Sequence, residues 1–241
     1  MEIKLNVDIK HKSFGSSSPV IHKLQFAITA GERVALVGPS GAGKSTLLSM
    51  IAGLDNQFSG TITRSGNTVV TKMFQDARLM PWLTVRDNIL LVGDDTPGAA
   101  NVADELIAAM GLADARDKFP GQISGGMKKR VALARAFLPG PDLLLMDEPF
   151  ASLDAPAAAE LRQQVIQLCL SHQVTLLCVT HSLDEAVTLA DRILFFSAEP
   201  MALLLDQDVS QWKNQGGEGV SAGLVSESLL GQYPEILRGV I

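Results

Sequence analysis

The segment Gly38-Pro39-Ser40-Gly41-Ala42-Gly43-Lys44-Ser45 has the residue types and spacing of a loop that binds a nucleoside triphosphate. Its glycines allow the backbone to turn tightly and to point N–H groups at phosphate oxygens. We expect the Lys44 ammonium to reach the β- and γ-phosphates and the Ser45 hydroxyl to bind Mg²⁺. An apolar run at 34–37 precedes the loop and an amphipathic pattern follows it, so the loop has the strand and helix context that it requires.

Polar groups also follow two later apolar runs. Asp147 and Glu148 come directly after residues 143–146, and His181 follows residues 174–180. Because ligands of open α/β sheets bind at the carboxyl ends of the strands, we expect all three side chains at that edge. Side chains alternate along a strand, so the two adjacent acids should point in opposite directions and have different roles. A lone histidine is usually structural, but its position after the next strand favours a functional role.

A second candidate anion site is Ser124-Gly125-Gly126, which precedes a helical pattern that runs to about Phe137. The serine hydroxyl and the first N–H groups of a helix can bind an anion together. Taken alone, the segment is also compatible with an ordinary helix cap. Lys128 and Lys129, which follow it, are equally compatible with a solvent-exposed helix face.

Gln75 opens a segment in which residues 79–83, Leu-Met-Pro-Trp-Leu, are large and apolar where a loop should be polar. Two interpretations are open: these residues belong to the core of a subdomain, or they form a groove that receives a helix of another protein.

The elements that must position these residues follow from the periodicity of the chain. Strands are predicted over 2–37, and a hairpin over 60–64 and 68–74 around Ser65-Gly66-Asn67. Residues 76–140 are predicted to be a helical insertion, with Thr84 and Ser124 as helix caps. Strands and helices then alternate to residue 197, which predicts a parallel sheet with helices on both faces.

Composition excludes several classes of protein. The 241 residues carry a net charge of −6, which gives no general attraction to nucleic acid. No apolar run approaches the roughly 20 residues that span a bilayer. The N-terminus alternates like a strand and does not resemble a signal peptide. Cys169 and Cys178 lack neighbours at metal-ligand spacing, so we interpret them as small buried apolar residues.

Together these motifs resemble the ATPase subunit of an ABC transporter over residues 3–205. The resemblance implies an α/β fold, with a P-loop NTPase core of mainly parallel sheet, an N-terminal antiparallel β subdomain and an inserted α-helical subdomain. It assigns residues 1–205 to the ATPase domain, with 1–75 and 141–205 as the core and β subdomain and 76–140 as the helical subdomain. We expect residues 206–241 to be a short appended tail.

The resemblance also implies ATP and Mg²⁺ as cofactors and gives the candidate residues their roles. Metal ligands would be Ser45, Gln75 and Asp147. Catalytic residues would be Glu148 as the base, His181 as a sensor of the γ-phosphate, and Gln75. Residues that bind the nucleotide would be Phe14, Gly38, Pro39, Ser40, Gly41, Ala42, Gly43, Lys44, Ser45, Thr46, Ser124, Gly125 and Gly126.

Two of these assignments need comment. Phe14 would stack on adenine, although it could equally pack under the N-terminal sheet. Met127 stands where the family more often has Gln, which affects fine positioning and leaves the backbone donors in place. The segment Ser152-Leu153-Asp154 resembles the loop by which the two ATP sites of the family communicate.

The expected partners are a second copy of the chain in the ATP-bound state and two integral membrane permease subunits. A substrate-binding protein would act indirectly, and no nucleic acid is expected. The expected location is peripheral, on the cytoplasmic face of the inner membrane. Residues 73–89, MFQDARLMPWLTVRDNI, are similar to importers of nitrate, sulfonates and taurine, and importers of pyrimidine precursors look alike.

Two other classes remain as alternatives. A soluble ABC ATPase acting on DNA or ribosomes usually carries a coiled-coil insertion or two fused ATPase halves, and this sequence has neither. A P-loop kinase would need neither the Ser-Gly-Gly turn nor the histidine after the following strand.

Overall fold

The computed structural model describes residues 2–15, 18–93, 96–210 and 222–241. It contains two compact units. The phosphate-loop unit consists of Met1–Thr68 and Thr175–Ile241, and the helical unit consists of Val69–Val174. The helical unit contains the whole of the predicted insertion at 76–140.

The strands are β1 (Ile3–Lys12), β2 (Ile21–Thr29), β3 (Arg33–Val37), β4 (Ser59–Arg64), β5 (Val70–Met73), β6 (Leu143–Asp147), β7 (Thr175–Thr180), β8 (Arg192–Phe196) and β9 (Leu203–Asp208). The helices are α1 (Lys44–Ile51), α2 (Val85–Leu90), α3 (Ala99–Ala109), α4 (Gly125–Phe137), α5 (Ala155–Ser171), α6 (Leu183–Leu189) and α7 (Ala222–Gln232). The predicted α/β class, with parallel and antiparallel sheet, is confirmed.

In the phosphate-loop unit, β2, β1 and β4 form an antiparallel sheet. The predicted hairpin at 60–74 is wrong. β4 pairs with β1, whereas β5 pairs in parallel with β6 in the helical unit. The turn residues at 65–67 are compatible with a hairpin, but the two strands find better partners in different sheets. A turn pattern describes how the chain reverses and does not determine which strand it will pair with.

The parallel strands of the phosphate-loop unit have the order β7, β3, β8. β3 is buried from Val34 to Val37 and β7 throughout, as expected of strands covered on both faces. β9, which the sequence did not predict, pairs antiparallel with β8. The predicted boundary between residues 205 and 206 therefore falls inside a strand.

The chain after β9 contributes to the core of the phosphate-loop unit. Val225 and Leu229 of α7, with Ile236, are buried in one cluster with Ala35 of β3 and Val187 of α6. The tail expected to be an appendix thus contributes α7 and Ile236 to the hydrophobic core. The glycine-rich stretch Gly216-Gly217-Glu218-Gly219, which suggested the appendix, lies outside the described residues.

The helical unit contains β5, β6 and helices α2 to α5. The predicted caps are confirmed, because Thr84 Oγ1 accepts the N–H of Asp87 and Ser124 Oγ accepts that of Met127. α3 ends before Gly111, whose φ of 63° suits a glycine at a helix C-terminus. α4 packs on α2, α3, α5 and β5 and so lies at the centre of this unit.

Candidate functional site

The phosphate loop connects β3 to α1, and its glycines are required by the conformation. Gly43, directly before α1, has φ of 101°, and Gly41 has φ of 79°. A Cβ atom at Gly43 would lie 2.7 Å from Val20 Cγ1, and one at Gly38 would lie 2.8 Å from the carbonyl oxygen of Phe196. Larger residues at these positions would force the loop open.

Lys44 is only 5% exposed and bends back over this loop. Its ammonium donates to the carbonyl oxygens of Gly38, at 2.7 Å, and Pro39, at 2.6 Å. Ser40, Gly41 and Ser45 are exposed beside it. The first turn of α1 carries no acidic residue, so its N-terminal dipole is available to an anion. The loop therefore has the donors and the field that a polyphosphate requires.

His181 leaves the sheet beside the phosphate loop. Val37, the last residue of β3, pairs with Thr180, the last residue of β7. Gly38 and His181 therefore emerge at the same level of the same sheet edge, as the sequence predicted. His181 is exposed and is followed by Ser182, which caps α6 by accepting the N–H of Glu185. The position suits a side chain that interacts with a ligand of the loop.

Phe14 is 54% exposed, so the alternative that it packs under the N-terminal sheet is wrong. The Nζ atom of Lys12 lies 4.6 Å from the centroid of its ring. Lys12 is itself 1% exposed and forms an ion pair of 2.6 Å with Asp55 and a hydrogen bond of 2.9 Å to the carbonyl oxygen of Gln57. Phe14 thus has a cation close to its ring and a large exposed surface.

Sequence reasoning missed Lys12, because the alternation of β1 places it on the exposed face. Val7 and Ile9 are buried, whereas His11 is exposed and Lys12 is buried. The pairing of β1 with β4 shifts register between Ile9 and His11. A bulge of this kind moves every following side chain to the other face of the sheet.

In the helical unit, Asp147 ends β6 and Glu148 lies beyond it with φ of 44°. The prediction that strand alternation separates the two carboxylates is therefore wrong. It assumes that both residues lie in the strand, and β6 ends at Asp147. A left-handed conformation costs a residue other than glycine about 1 kcal/mol and is frequent at functional sites. Both acids are half-buried. Burial lowers the pKa of Lys72 below its usual value, and the negative charge of Asp147 opposes part of this shift.

Three of the predicted motifs meet at one cleft of about 190 Å³ in the helical unit. They are the segment after Gln75, the start of α4 and the segment around Ser152. The lining residues are Gln75, Asp76, Ala77, Gly125, Lys128, Lys129, Ala151, Ser152 and Leu153. Gln75 and Ser124 are both exposed. This unit can therefore present an amide, a hydroxyl and a helix N-terminus to a common ligand region.

Among the described residues, no steric contact explains why Gly125 and Gly126 of the Ser124 turn are glycines. Gly125 belongs to α4, and a Cβ atom there would meet nothing within 4 Å. A Cβ atom at Gly126 would make only ordinary contact with Ala157. Because neither glycine has a side chain, the N-terminus of α4 is accessible to a ligand or to another protein chain. Met127 does not disturb the turn, because its N–H still binds Ser124 Oγ at 3.2 Å.

The apolar segment at 79–83 is held outward by Asn88 of α2, which is fully buried. The Asn88 amide group donates to three backbone carbonyls of residues 80–84, at 2.9 to 3.1 Å, and accepts the N–H of Met80 at 2.7 Å. Trp82 is 70% exposed, so it is not part of a subdomain core. The sequence signal was available: Asn88 stands on the apolar face of α2, between Val85 and Ile89.

Among the described residues, no group of three His, Cys, Asp or Glu side chains could hold a metal ion. The candidate donors Ser45, Gln75 and Asp147 are a hydroxyl, an amide and a carboxylate, and oxygen donors of these kinds suit Mg²⁺. A search of the same residues finds no helix of the length and apolarity that a bilayer crossing requires.

Comparison with known proteins agrees with these features. The model of the ABC transporter family matches residues 21–151. The aliphatic sulfonates import ATP-binding protein SsuB 1 of Pseudomonas syringae is 43% identical over 199 residues, which cover 83% of each chain. The bicarbonate transport ATP-binding protein CmpC of a Synechocystis strain is 46% identical over 73% of this chain, which corresponds to 28% of that longer protein.

A solved structure shares the fold. The CbiO1 protein of Clostridium perfringens, described as part of the ABC transporter complex CbiONQ, has a TM-score of 0.77 at 21% identity, covering 98% of both chains. With the family model and the relatives above, the predicted family is confirmed: the chain belongs to the ABC transporter ATP-binding family, whose members are ATPases coupled to transport.

Proposed function

We propose that the chain binds ATP with Mg²⁺ and hydrolyses it to energise an importer of a small solute. The observation that carries the proposal is the presence of two separate candidate anion-binding turns, the phosphate loop and Ser124-Gly125-Gly126. The second turn starts a helix and carries a glycine whose missing side chain is not explained by the fold. A kinase that binds one triphosphate has no use for a second turn of this kind.

In this proposal the phosphate loop and Thr46 hold the phosphates of ATP, and Phe14 stacks on the adenine. Lys44 exchanges its neutral carbonyl partners for charged phosphate oxygens, which form stronger hydrogen bonds. Bound Mg²⁺ would neutralise phosphate charge, with Ser45, Gln75 and Asp147 as the residues that hold it. Glu148 accepts a proton from the attacking water, and His181 donates to the γ-phosphate.

Two copies of the chain would form a dimer when ATP is bound. Each Ser124 turn then binds the γ-phosphate held by the partner's phosphate loop, so closure requires nucleotide and dimer together. The dimer would lie on the cytoplasmic face of the inner membrane, beneath two permease subunits. The segment at 79–83 is the surface that we propose contacts a permease, because it exposes Trp82 and its backbone is held by hydrogen bonds from Asn88.

The proposed solute is a sulfonate or a related small anion. Relatives that import aliphatic sulfonates are 38% to 43% identical to this chain over four fifths of its length. The bicarbonate relatives show that a similar ATPase serves another small anion. Nitrate, taurine and pyrimidine precursors remain as alternatives from the sequence, since the ATPase does not touch the solute.

Glu148→Gln provides the test. The amide keeps the size of the side chain but accepts no proton from water, so the variant should bind ATP, turn over at least 100-fold more slowly and persist as a dimer. Tagged Glu148→Gln protein, extracted from membranes in detergent with Mg²⁺ and ATP, should retain an integral membrane protein. Near-normal turnover would remove Glu148 as the base. Recovery of no membrane protein would favour the soluble ABC ATPase.

A further inference from the structure

Two cations of α4 hold the backbone of residues 75–78. The Lys129 ammonium donates to the carbonyl oxygen of Gln75. The Arg135 guanidinium donates to the carbonyl oxygen of Ala77 at 2.7 Å and to that of Arg78 at 3.0 Å. Three of four successive peptide units in this loop are therefore bound to one helix. We call Lys129 and Arg135 the cation clamp.

The burial of the clamp indicates a specific role. Lys129 is 8% exposed, and burial lowers the pKa of both cations. Removing a cation from water is costly. The carbonyl groups that the two cations bind, and for Lys129 the negative charge of Asp76, offset this cost only in part. An apolar residue at position 129 would pack in the same place without the cost. The cation is useful because it donates a directed hydrogen bond to a backbone carbonyl group, which an apolar side chain cannot do.

The surrounding residues allow the loop to approach α4 closely. At 100° per residue, Ala132 and Ala136 lie between the two cations around the helix. These small side chains line a cavity together with residues 71–73 of β5 and Phe74, which follows the strand. Arg78 has φ of 47°, and its guanidinium carbon lies 3.9 Å from the centroid of the Phe74 ring. The loop is therefore a compact turn with few ways to move independently of α4.

α4 also begins at the Ser124 turn, five residues before Lys129. An α-helix transmits a displacement of its N-terminus to positions one or two turns along it, because its backbone hydrogen bonds resist deformation. Whatever binds at Ser124 therefore acts through the helix on the carbonyl group of Gln75.

We propose that Lys129 and Arg135 are positioning residues that make α4 and residues 75–78 move as one body, so that binding at the Ser124 turn determines the position of Gln75. The proposal rests on the proposed function, in which Ser124 binds a phosphate of the partner's ATP and Gln75 assists the metal and the water. It adds a direct mechanical connection between those two residues within one chain.

The test compares Lys129→Met and Arg135→Leu with the control Lys118→Met, which removes an exposed lysine of the same unit. Hydrogen–deuterium exchange of the purified chain reports on the loop directly. A hydrogen bond to a charged group stabilises by enough to slow local opening about tenfold or more. The backbone amides of residues 76–80 should therefore exchange about tenfold faster than in wild type in each clamp variant. Their exchange rate should be unchanged in the control, and the core of α4 should stay protected in all variants.

ATP hydrolysis by the same proteins gives the second readout. Small displacements of positioned groups cost up to about 100-fold in rate, so kcat should fall by at least about tenfold in Lys129→Met. KM for ATP should change less than about twofold, because the phosphate loop is untouched, and more Mg²⁺ should be needed for half-maximal rate. Lys129→Arg keeps the charge and the donors and should restore both exchange and kcat in large part.

Different results would overturn the clamp proposal and the proposed function. Exchange of amides 76–80 that matches the Lys118→Met control in both variants would overturn the clamp, whatever the hydrolysis rates. A global loss of protection in Lys129→Met, without rescue by Lys129→Arg, would also overturn it, since the role would then be one of general stability. Gln75→Ala tests the proposed function: unchanged Mg²⁺ dependence there removes Gln75 from the metal site and leaves the exchange result standing.

Discussion

The Lys12–Asp55 ion pair can be broken by replacing either residue, and we predict that the two replacements reduce the free energy of unfolding by different amounts. Lys12 is 1% exposed, whereas the Asp55 side chain is 21% exposed, and 2.6 Å separate their charged atoms. Asp55→Asn leaves an ammonium group buried beside an uncharged amide. Lys12→Met leaves a carboxylate that water can reach, with an apolar side chain of similar length in the buried position.

The magnitudes follow from these exposures. Removal of one partner from a buried ion pair costs about 3–5 kcal/mol. Because Gln57 still accepts one hydrogen bond from Lys12 and Asp55 is partly exposed, we expect Asp55→Asn to cost about 2–3 kcal/mol, just below that range. Replacement of a buried cation by an apolar side chain of similar volume is often neutral, so Lys12→Met should cost about 0–1 kcal/mol.

Urea denaturation at pH 7, followed by circular dichroism and by a second probe that establishes two-state behaviour, measures both free energies of unfolding. Lys10→Met is the matched control, because Lys10 is exposed on the same strand. A cost of Lys12→Met equal to or greater than that of Asp55→Asn would refute the reasoning from burial.

The same pair predicts a dependence on pH. The hydrogen bond from Lys12 lowers the pKa of Asp55 below its usual 3.8, with a bond from the Gln57 N–H as the next contribution. A carboxyl group whose pKa is lower in the folded state stabilises that state at every pH above the pKa of the unfolded state. That contribution is lost as the pH falls below 3.8 through the folded pKa. The difference in stability between wild type and Asp55→Asn should therefore be constant from pH 7 to 5 and shrink below 3.8; an unchanged difference would contradict it.

Two further predictions concern the anion-binding turns. Gly43→Ala should weaken binding of a fluorescent ATP analogue at least about tenfold, because left-handed strain of about 1–2 kcal/mol adds to a contact of 2.7 Å with Val20. Gly66→Ala is the control for backbone strain alone, because Gly66 has φ of 50° and a Cβ atom there would meet nothing within 4 Å. An equal loss of ATP-analogue binding in the two variants would contradict this account. Ser124→Arg should leave ATP binding by one chain within about twofold and abolish the ATP-dependent dimer of Glu148→Gln in size-exclusion chromatography. A dimer that persists would contradict the role of the turn across the dimer.

Local chemistry explains what could be predicted. The phosphate loop, the Thr84 and Ser124 caps and the strand before each polar group depend on residues within a few positions of one another. Glycines that permit a turn, a hydroxyl that accepts an N–H three residues ahead and a run of apolar residues have the same effect in almost any fold.

The wrong predictions of strand pairing and of the tail involve segments distant in sequence. The hairpin prediction pairs β4 with β5, but the residues that each strand pairs with lie 48 or more positions away along the chain. β9 and α7 were missed because their stability comes from β8 and from the cluster around Val187 rather than from a strong local pattern. Strand pairing is a competition between distant segments, which local propensity does not decide.

The sequence by itself determined the family, and it located the two candidate anion-binding turns, the candidate acids and the candidate histidine, because each depends on short-range spacing. Only the tertiary structure decided that Lys12 is buried beside Phe14, that Glu148 leaves its strand in a left-handed conformation and that α4 holds the carbonyl groups of Gln75, Ala77 and Arg78. A bulge, a backbone torsion and a hydrogen bond across 54 positions all arise when distant segments pack together, and no local pattern encodes them.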